Sequence, residues 1–406
     1  MTDPSASAAT RPVHSSLSHE RRLRVMLVTE RFDPAVGGLE AWTAGLAQYL
    51  IAQGHEVHVA AASFGAKDVP VVPVHVPRDA LPSGFARNIA SALEHLQMDV
   101  VHDVGYGWSS DLFHPQVGSR ILSLKRELRS RPLLARLRMA ASPAFRRWRQ
   151  DLALTERRQM ALAKRIVAVS ETVRRDLARY YDIPLGKMLL IPNGIDVDRF
   201  SPDVRERYRT EARSELGVGD DVLFLAAAHN FKLKGLDIVL RALAKLARER
   251  CDVRLVVAGN GAIAEYGRKA EQLGIGHLVK FTGQVDSMPR LYAAADAFVH
   301  PTFHDACSLS TLEALASGLP VITTRVNGAA DGMRSGREGY VIEDAADVGM
   351  VKAAMIALLA PEARHACGAH ARQLALAKSF AANCAAVAGV YADIVAARAA
   401  GSRQRA

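Results

Sequence analysis

Short apolar, β-branched runs recur along the chain, each separated from the next by a stretch with helical spacing. In the first half these runs are LRVMLVT (23–29), EVHVAAA (56–62), VPVVPVHV (69–76), DVVHDV (99–104), RIVAVS (165–170) and MLLIPN (188–193). In the second half they are VLFLAAA (222–228), VRLVVAG (253–259), LVKFTG (278–283), DAFVHP (296–301), PVITT (320–324) and GYVI (339–342). Strands that are apolar almost throughout, rather than alternating, predict parallel sheets covered by helices on both faces. Two such arrays predict an α/β protein of two doubly wound domains.

The break is expected after IPNGIDVDRFSPD (191–203), where Pro, Asn, Gly and Asp cluster. This gives a domain over 23–200 and a second over 201–378, followed by an alanine-rich helix over 379–399. No internal repeat suggests a solenoid. A length of 406 residues agrees with two cores. The composition, 49% hydrophobic and 23% charged, is that of a soluble globular protein. Residues 1–22, MTDPSASAATRPVHSSLSHERR, lack the apolar core of a signal peptide and read as a disordered tail. No apolar run approaches the roughly 18 residues that span a bilayer. Cys251, Cys307, Cys367 and Cys384 form no CxxC pair, which fits a reducing, cytoplasmic setting better than a disulfide framework.

Charge changes the picture in one place. Between Arg120 and Arg165 stand fourteen Lys or Arg and three acids, so this stretch holds the whole of the +10 net charge and the remainder is near neutral. Its arginines interleave with leucines, Phe145 and Trp148, as in an interfacial amphipathic segment, while a solvated charged face explains the arginines equally well. A local patch of this kind points to an anionic partner: a membrane surface, an anionic acceptor or nucleic acid. Nothing beside it resembles a nucleic-acid reading module, so nucleic acid is not expected as a partner.

In open parallel sheets ligands bind beyond the carboxyl ends of the strands, and the unusual residues fall there. Gly37 and Gly38 follow the first strand, where backbone can approach a ligand without a Cβ in the way, although a plain tight turn explains the pair as well. His102 and Asp103 close another strand. In HNFKLKGLD (229–237), Lys232 and Lys234 offer compact positive charge to a phosphate; solvated surface lysines are the plain alternative. The stretch HPTFHDACSLSTLEALASGLPVITT (300–324) is more specific. Asp305 precedes a helix whose first turn holds Ser308, Leu309 and Ser310, small enough for a diphosphate to reach the unpaired amides. Glu313, over a turn on, can grip a diol with both oxygens, and Asp305 can meet a polar group on the ligand's other side. A helix-capping acid and a surface glutamate would share that spacing.

The ordered set of Gly-Gly loop, AVSETVRRDL, IPNGIDVDRF, lysine loop, VVAGNG, FTGQV, LYAAADAFVHP and LEALASGLPVITT resembles the retaining GT-B glycosyltransferases of family 4, over roughly Leu23 to Ala396. HPTFHDACSLSTLEA is most similar to transferases of lipopolysaccharide-core sugars. The resemblance implies two Rossmann-like domains facing across a cleft, an acceptor-side N-terminal domain, a nucleotide-sugar-binding C-terminal one, and a last helix crossing back to the first. It implies retaining transfer of a hexose, with UDP-sugars favoured and GDP-mannose second, to a glycan or glycolipid hydroxyl in cell-envelope polysaccharide or lipopolysaccharide synthesis. By position, Asp305 would contact the donor sugar and Glu313 the ribose, with Lys234 and Lys232 on the diphosphate. Gly283 and Val285 would flank the base, Asn327 and Gly328 would lie beyond the next strand, and Gly37 and Gly38 would close over the donor phosphate. His102 or His114 would be the acceptor-side histidine. No DxD cluster stands near the phosphate loops, so no metal or other cofactor is expected, and the enzyme is expected in the cytoplasm, peripheral on the membrane's inner face through 120–165.

The sequence departs from the family pattern at three points. Aspartate replaces the first glutamate, Ser308 the usual glycine, and the phosphate arginine is missing, with His229 near its place and Leu233 before Lys234. A catalytically silent nucleotide-sugar-binding GT-B subunit is the rival these departures allow. A dinucleotide oxidoreductase is excluded because no complete GxGxxG follows the first strand of either half.

Overall fold

A computed structural model describes residues 22–65, 68–129, 131, 133–250, 252–285 and 287–403. Almost all of the expected polar tail, Cys251, and Ser130 and Pro132 of the basic stretch lie outside these residues. The first seven strands of the main sheets are β1 (Arg24–Val28), β2 (Glu56–Ala61), β3 (Val72–His75), β4 (Val100–Asp103), β5 (Leu112–Phe113), β6 (Arg165–Ala168) and β7 (Met188–Leu190). They form one parallel sheet in the order β3-β2-β1-β4-β5-β6-β7. The next six are β8 (Val222–Ala227), β9 (Val253–Ala258), β10 (Val279–Gly283), β11 (Ala297–His300), β12 (Val321–Thr324) and β13 (Gly339–Ile342). They form a second parallel sheet in the order β10-β9-β8-β11-β12-β13.

Both orders run outward from the first strand and then reverse, the doubly wound pattern with a switch point beside that strand. The switch points lie between β1 and β4 and between β8 and β11. Strand β3 is shorter than its apolar run, because Pro70 and Pro73 donate no amide to a ladder; it sits at the sheet edge, where prolines are tolerated. Strand β5 was not legible as a strand: two residues, both buried, carry no period.

The segment between the sheets belongs with the second. Helix Pro202–Leu216 starts where Ser201 Oγ accepts from Val204 N–H and ends at Gly217 in the left-handed region (φ 68°). Arg209 and Arg213 on it grip Asp296 at 2.5 and 3.0 Å, and that carboxylate also accepts from Leu223 N–H of β8. Three groups thereby fix this helix against the second sheet.

The last helix, Phe380–Arg403, returns to the first sheet as expected. Its long apolar stretch differs from the sequence expectation, since by length and composition residues 380–401 would pass as a membrane span. In the fold Val387, Tyr391 and Ile394 are instead buried against Val25, Leu27, Leu46 and Val59. The crossing is pinned by two backbone bonds between Ile195 and the link into the last helix: Ile195 N–H to Lys378 O at 2.9 Å and Phe380 N–H to Ile195 O at 2.8 Å. Trp42 Nε1–H donates to Asn383 Oδ1 at 2.9 Å, and Asn383 donates on to Pro192 O. A Cβ on Gly194 would meet Ser379 O at 2.5 Å, so the chains approach closely only because that residue is glycine. A separate apolar cluster joins the domains, running from Phe113, Ile166 and Val173 through Ala306 and Leu312 to Phe298.

Candidate active site in the interdomain cleft

Two loops meet at the switch point of the second sheet. One follows β8 and carries Lys232 and Lys234; the other follows β11 and carries Asp305. Lys234 Nζ lies 2.5 Å from Asp305 Oδ2 and 3.4 Å from the His304 carbonyl. His300, the last residue of β11, brings Nε2 to 3.5 Å from the same carboxylate oxygen. Burial alone would raise the Asp305 carboxyl, but the Lys234 ammonium and the His300 ring beside it outweigh that and hold the acid well below the usual carboxylate range. Asp305 is therefore ionised throughout the physiological range, beside a cation that compensates it.

Helix Leu309–Ala316 begins immediately after this acid. Ser308 is its N-cap, with Oγ accepting from Thr311 N–H at 3.2 Å, so the amides of Leu309 and Ser310 head the helix without intrahelical acceptors. Glu313 stands one turn further on. Tyr292 O–H donates to its Oε2 at 2.8 Å. Burial pushes the Glu313 carboxyl up, against the opposing pulls of that bond and of nearby Arg199.

The first domain reaches the same place. A Cβ on Gly38 would stand 3.0 Å from Leu309 Cδ1, so the Gly-Gly turn faces the start of the helix across the cleft. Gln284 spans the gap nearby, its Nε2 at 3.5 Å from Ala35 O. It sits between Gly283, which closes β10 with φ 68°, and the half-buried Val285. Lys232 is partly exposed; burial lowers its ammonium, and Arg131 of the first domain and Lys269 add to the shift. His229 is exposed.

Four expected site residues do other work. His102 is fully buried: Nδ1 pairs with Tyr391 Oη at 2.6 Å, Nε2 faces His114 Nδ1 at 3.2 Å, and burial lowers it to about 3. A neutral ring bonded at both nitrogens inside the core does not meet an acceptor, and it joins the returning helix to the first sheet. His114 is equally buried under Trp42, so neither histidine is the acceptor-side group. Asn327 is fully buried and its amide is consumed: Oδ1 accepts from Ser308 N–H and Ala329 N–H, and Nδ2 donates to Thr311 and Thr323. It orients the helix start from behind rather than touching a donor. Gly328 serves close packing, since a Cβ there would stand 1.9 Å from Ala306 O and 2.4 Å from Ser170 of the first domain.

The residues sequence reasoning missed are His300, His304, Tyr292 and Arg126. The first two precede Asp305 within HPTFHD, and a titratable cluster beside a candidate acid was a usable signal. Arg126 gave none: it lies 178 positions before His304, yet its guanidinium is 2.8 Å from His304 Nδ1 and forks onto Asp176 at 2.7 and 3.0 Å.

Two parallel sheets facing across a cleft, with a cation, an acid and an open helix start at the switch point, define a protein of two Rossmann-like domains. Comparison with known families is then specific. The family described as "Glycosyltransferase Family 4" matches residues 36–199, and "Glycosyl transferases group 1" matches 219–361. The chain belongs to glycosyltransferase family 4 and has the GT-B fold. It is 34% identical over 232 residues to a D-inositol 3-phosphate glycosyltransferase of Geodermatophilus obscurus, which is 53% of this chain and 51% of that protein. The match thus spans about half of that relative's length. Among solved structures it superposes on WaaG, a glycosyltransferase involved in lipopolysaccharide biosynthesis, with a TM-score of 0.77 at 23% identity, over 90% of this chain and 99% of WaaG. It superposes on Anabaena HepE in complex with UDP-glucose with a TM-score of 0.70 at 16% identity, over 92% and 100%. At these identities the two likenesses are of fold.

Proposed function

We propose that this chain is a retaining glycosyltransferase that moves a hexose from a nucleotide diphosphate sugar to a hydroxyl of a glycan or glycolipid. The observation that carries the reading is the convergence of Lys234, Asp305 and the start of helix Leu309–Ala316, with Gly38 of the opposite domain set against Leu309. In this reading the helix amides and the lysines take the diphosphate charge, Glu313 holds the ribose diol, Gly283 and Val285 flank the base, and Asp305 meets the sugar. The acceptor oxygen bonds to the anomeric carbon on the face from which the diphosphate oxygen departs. The acceptor's proton passes to that departing oxygen. The protein's share is positioning and neutralisation, and both are supplied by side chains and amides without a divalent ion.

A UDP-sugar is the favoured donor, supported by the fold shared with HepE, whose structure holds UDP-glucose; GDP-mannose is second. A role in envelope polysaccharide or lipopolysaccharide synthesis is supported by the likeness to WaaG, and a cytoplasmic setting by four cysteines that form no CxxC pair. The basic stretch supports peripheral attachment to an anionic membrane. On helix Leu133–Ala141, Leu133, Leu134 and Leu137 are 65, 72 and 56% exposed, beside exposed Arg136 and Arg138. Arg146, Arg147 and Arg149 on the next helix are also exposed. Other arginines of the stretch turn inward: Arg120 to Glu156, Arg126 to Asp176, and Arg158 onto the Trp108 ring.

The test is to incubate the purified chain with UDP-glucose, UDP-galactose, UDP-N-acetylglucosamine and GDP-mannose, with and without EDTA, and to follow nucleoside diphosphate release. Release from one donor, unaffected by EDTA, is expected. No release from any of them, with or without a glycolipid acceptor extract, would contradict the reading.

A further inference from the structure

The first sheet has its own switch point, between β1 and β4, and the loops leaving it carry a second group of polar side chains. Arg31 follows β1, Glu40 stands in the first turn of helix Gly38–Ala52, Tyr106 follows β4, and Arg120 begins helix Arg120–Arg129. Glu40 places the group at the cleft. A Cβ on Gly37 would stand 3.0 Å from Glu40 Oε2, and the next residue, Gly38, faces Leu309 of the second domain. The Glu40 side chain is 11% exposed and its ion-pair partner, Arg31 Nε, is 3.8 Å from Oε1. Neither carboxylate oxygen has a hydrogen-bond donor among the described residues. Tyr106 is held from behind. Asp103 Oδ1 accepts from the Gly105 and Tyr106 amides at 2.8 and 2.7 Å, Gln159 Nε2 donates to Gly107 O at 2.8 Å, and Phe85 meets the ring edge-on. The residue is half-buried, and its hydroxyl has no hydrogen-bond partner among the described residues. Burial, then Glu30 and Glu40 against Arg120 and Arg31, pushes the phenol up to about 12, so it keeps its proton and can donate.

An accepting carboxylate and a donating phenol, both without partners, suit a ligand rich in hydroxyls: one hydroxyl donates to Glu40 and another accepts from Tyr106. They do not suit a phosphate. The arginines nearby already face carboxylates, Arg31 at Glu40, Arg120 at Glu156 at 3.6 Å and Arg78 at Glu30 at 3.6 Å. A phosphorylated ligand would therefore meet the Glu40 charge with no uncommitted arginine among these to offset it. We infer that Glu40 and Tyr106 are specificity residues for the acceptor, and that they select an uncharged sugar ring over a phosphorylated one. This rests on the donor reading of the facing domain, which puts the transferred sugar across the cleft from the Gly37–Gly38 turn. A glutamate in the first turn also complements its helix; glutamine at that position keeps the capping geometry, so Glu40→Gln separates the two roles.

The test measures transfer by the full chain, from whichever donor wild type turns over, to octyl glucoside, octyl galactoside and octyl mannoside and to the 6-phosphate of each. Wild type is expected to favour a neutral glycoside over its phosphate by about tenfold or more in kcat/KM. Glu40→Gln is expected to raise the KM for that glycoside and to shrink the discrimination towards one, with the donor KM kept. Tyr106→Phe is expected to raise the acceptor KM by about tenfold, the worth of one hydrogen bond, with the discrimination kept. A merely structural role would not move the discrimination. Wild-type acceptor KM in both variants, an unchanged discrimination in Glu40→Gln, or a wild-type preference for the phosphates would overturn the proposal. Donor hydrolysis without transfer to any of these glycosides would overturn it too and leave the donor reading standing. No hydrolysis of any donor would overturn the donor reading and this one with it.

Discussion

Lys234 and Asp305, 71 positions apart, form an ion pair of 2.5 Å at the switch point of the second sheet. Since the pair is neutral as a unit, a diphosphate bound as proposed would gain less from Lys234 than from a free lysine. In that proposal the helix start at Leu309 and the partly exposed Lys232 would supply the rest. The pair also fixes Asp305 in place: removing Lys234 alone would leave a largely buried carboxylate uncompensated, a loss of about 3–5 kcal/mol in comparable buried pairs. A variant at Lys234 therefore needs Asp305→Asn beside it to separate stability from chemistry.

Acid should loosen the seam between the returning helix and the first sheet. His102 is lowered to about 3 by burial, against about 6.5 in an unfolded chain. Its folded pKa is depressed, so the contribution is complete above pH 6.5 and is lost as pH falls from there towards 3, because the unfolded state takes up the proton first. At pH 5 the loss from this one residue is about 2 kcal/mol. Thermal melts of wild type and His102→Gln at pH 7.5 and 5 check it. The variant is expected to be less stable at pH 7.5 but to lose less on acidification; an equal loss in both would exclude His102 as a source.

The twelve apolar runs found in the sequence are all strands, because strands covered on both faces are apolar throughout and carry their own signal. Asp305, Glu313, Lys234 and the Gly37–Gly38 turn gather at one cleft because each lies in a strand-to-helix loop or in the opening turns of a helix at a switch point, and that placement follows from order along the chain. His102 misled for a definite reason. It also stands at a strand end, but its side chain points to the face that Phe380–Arg403 covers, and the sequence does not say which face a strand-end residue takes. Asn327 is the same lesson in a loop. Arg126 was hidden because its partners come from Asp176 and His304, and no local spacing links the three.

Removing the returning helix should undo the first domain before the second. Trp42, His102 and the cluster around Val25, Leu27 and Val59 all rest on it. Fully burying an aliphatic side chain is worth about 1.5–3 kcal/mol, and Val387 and Ile394 are two of those lost, with the buried ring of Tyr391 beside them. A chain ending at Ser379 is expected to melt well below the full chain, with Trp42 fluorescence reporting the earlier change. An unchanged melt would contradict the packing role.

Membrane attachment through the basic stretch should depend on the arginines that face outward. Each Lys or Arg near an anionic surface contributes about 1 kcal/mol. Vesicle sedimentation of wild type against an Arg146, Arg147 and Arg149 to Ser variant is the measurement. Wild type is expected to pellet with anionic but not neutral vesicles at low salt, and the variant to pellet much less. Equal behaviour of the two proteins would leave a solvated charged face.

The most direct test of the site is the kcat/KM of the double variant Lys234→Ala with Asp305→Asn, measured with whichever donor wild type turns over, alongside its melting temperature and the nucleotide affinity of Glu313→Ala. Without the cation beside the leaving diphosphate, kcat/KM should fall by about a hundredfold or more, on the order of 3–4 kcal/mol of transition-state stabilisation, while the melt stays close to wild type. Glu313→Ala should weaken nucleotide binding. Wild-type kcat/KM in the double variant together with wild-type affinity in Glu313→Ala would place the donor elsewhere and contradict the assignment.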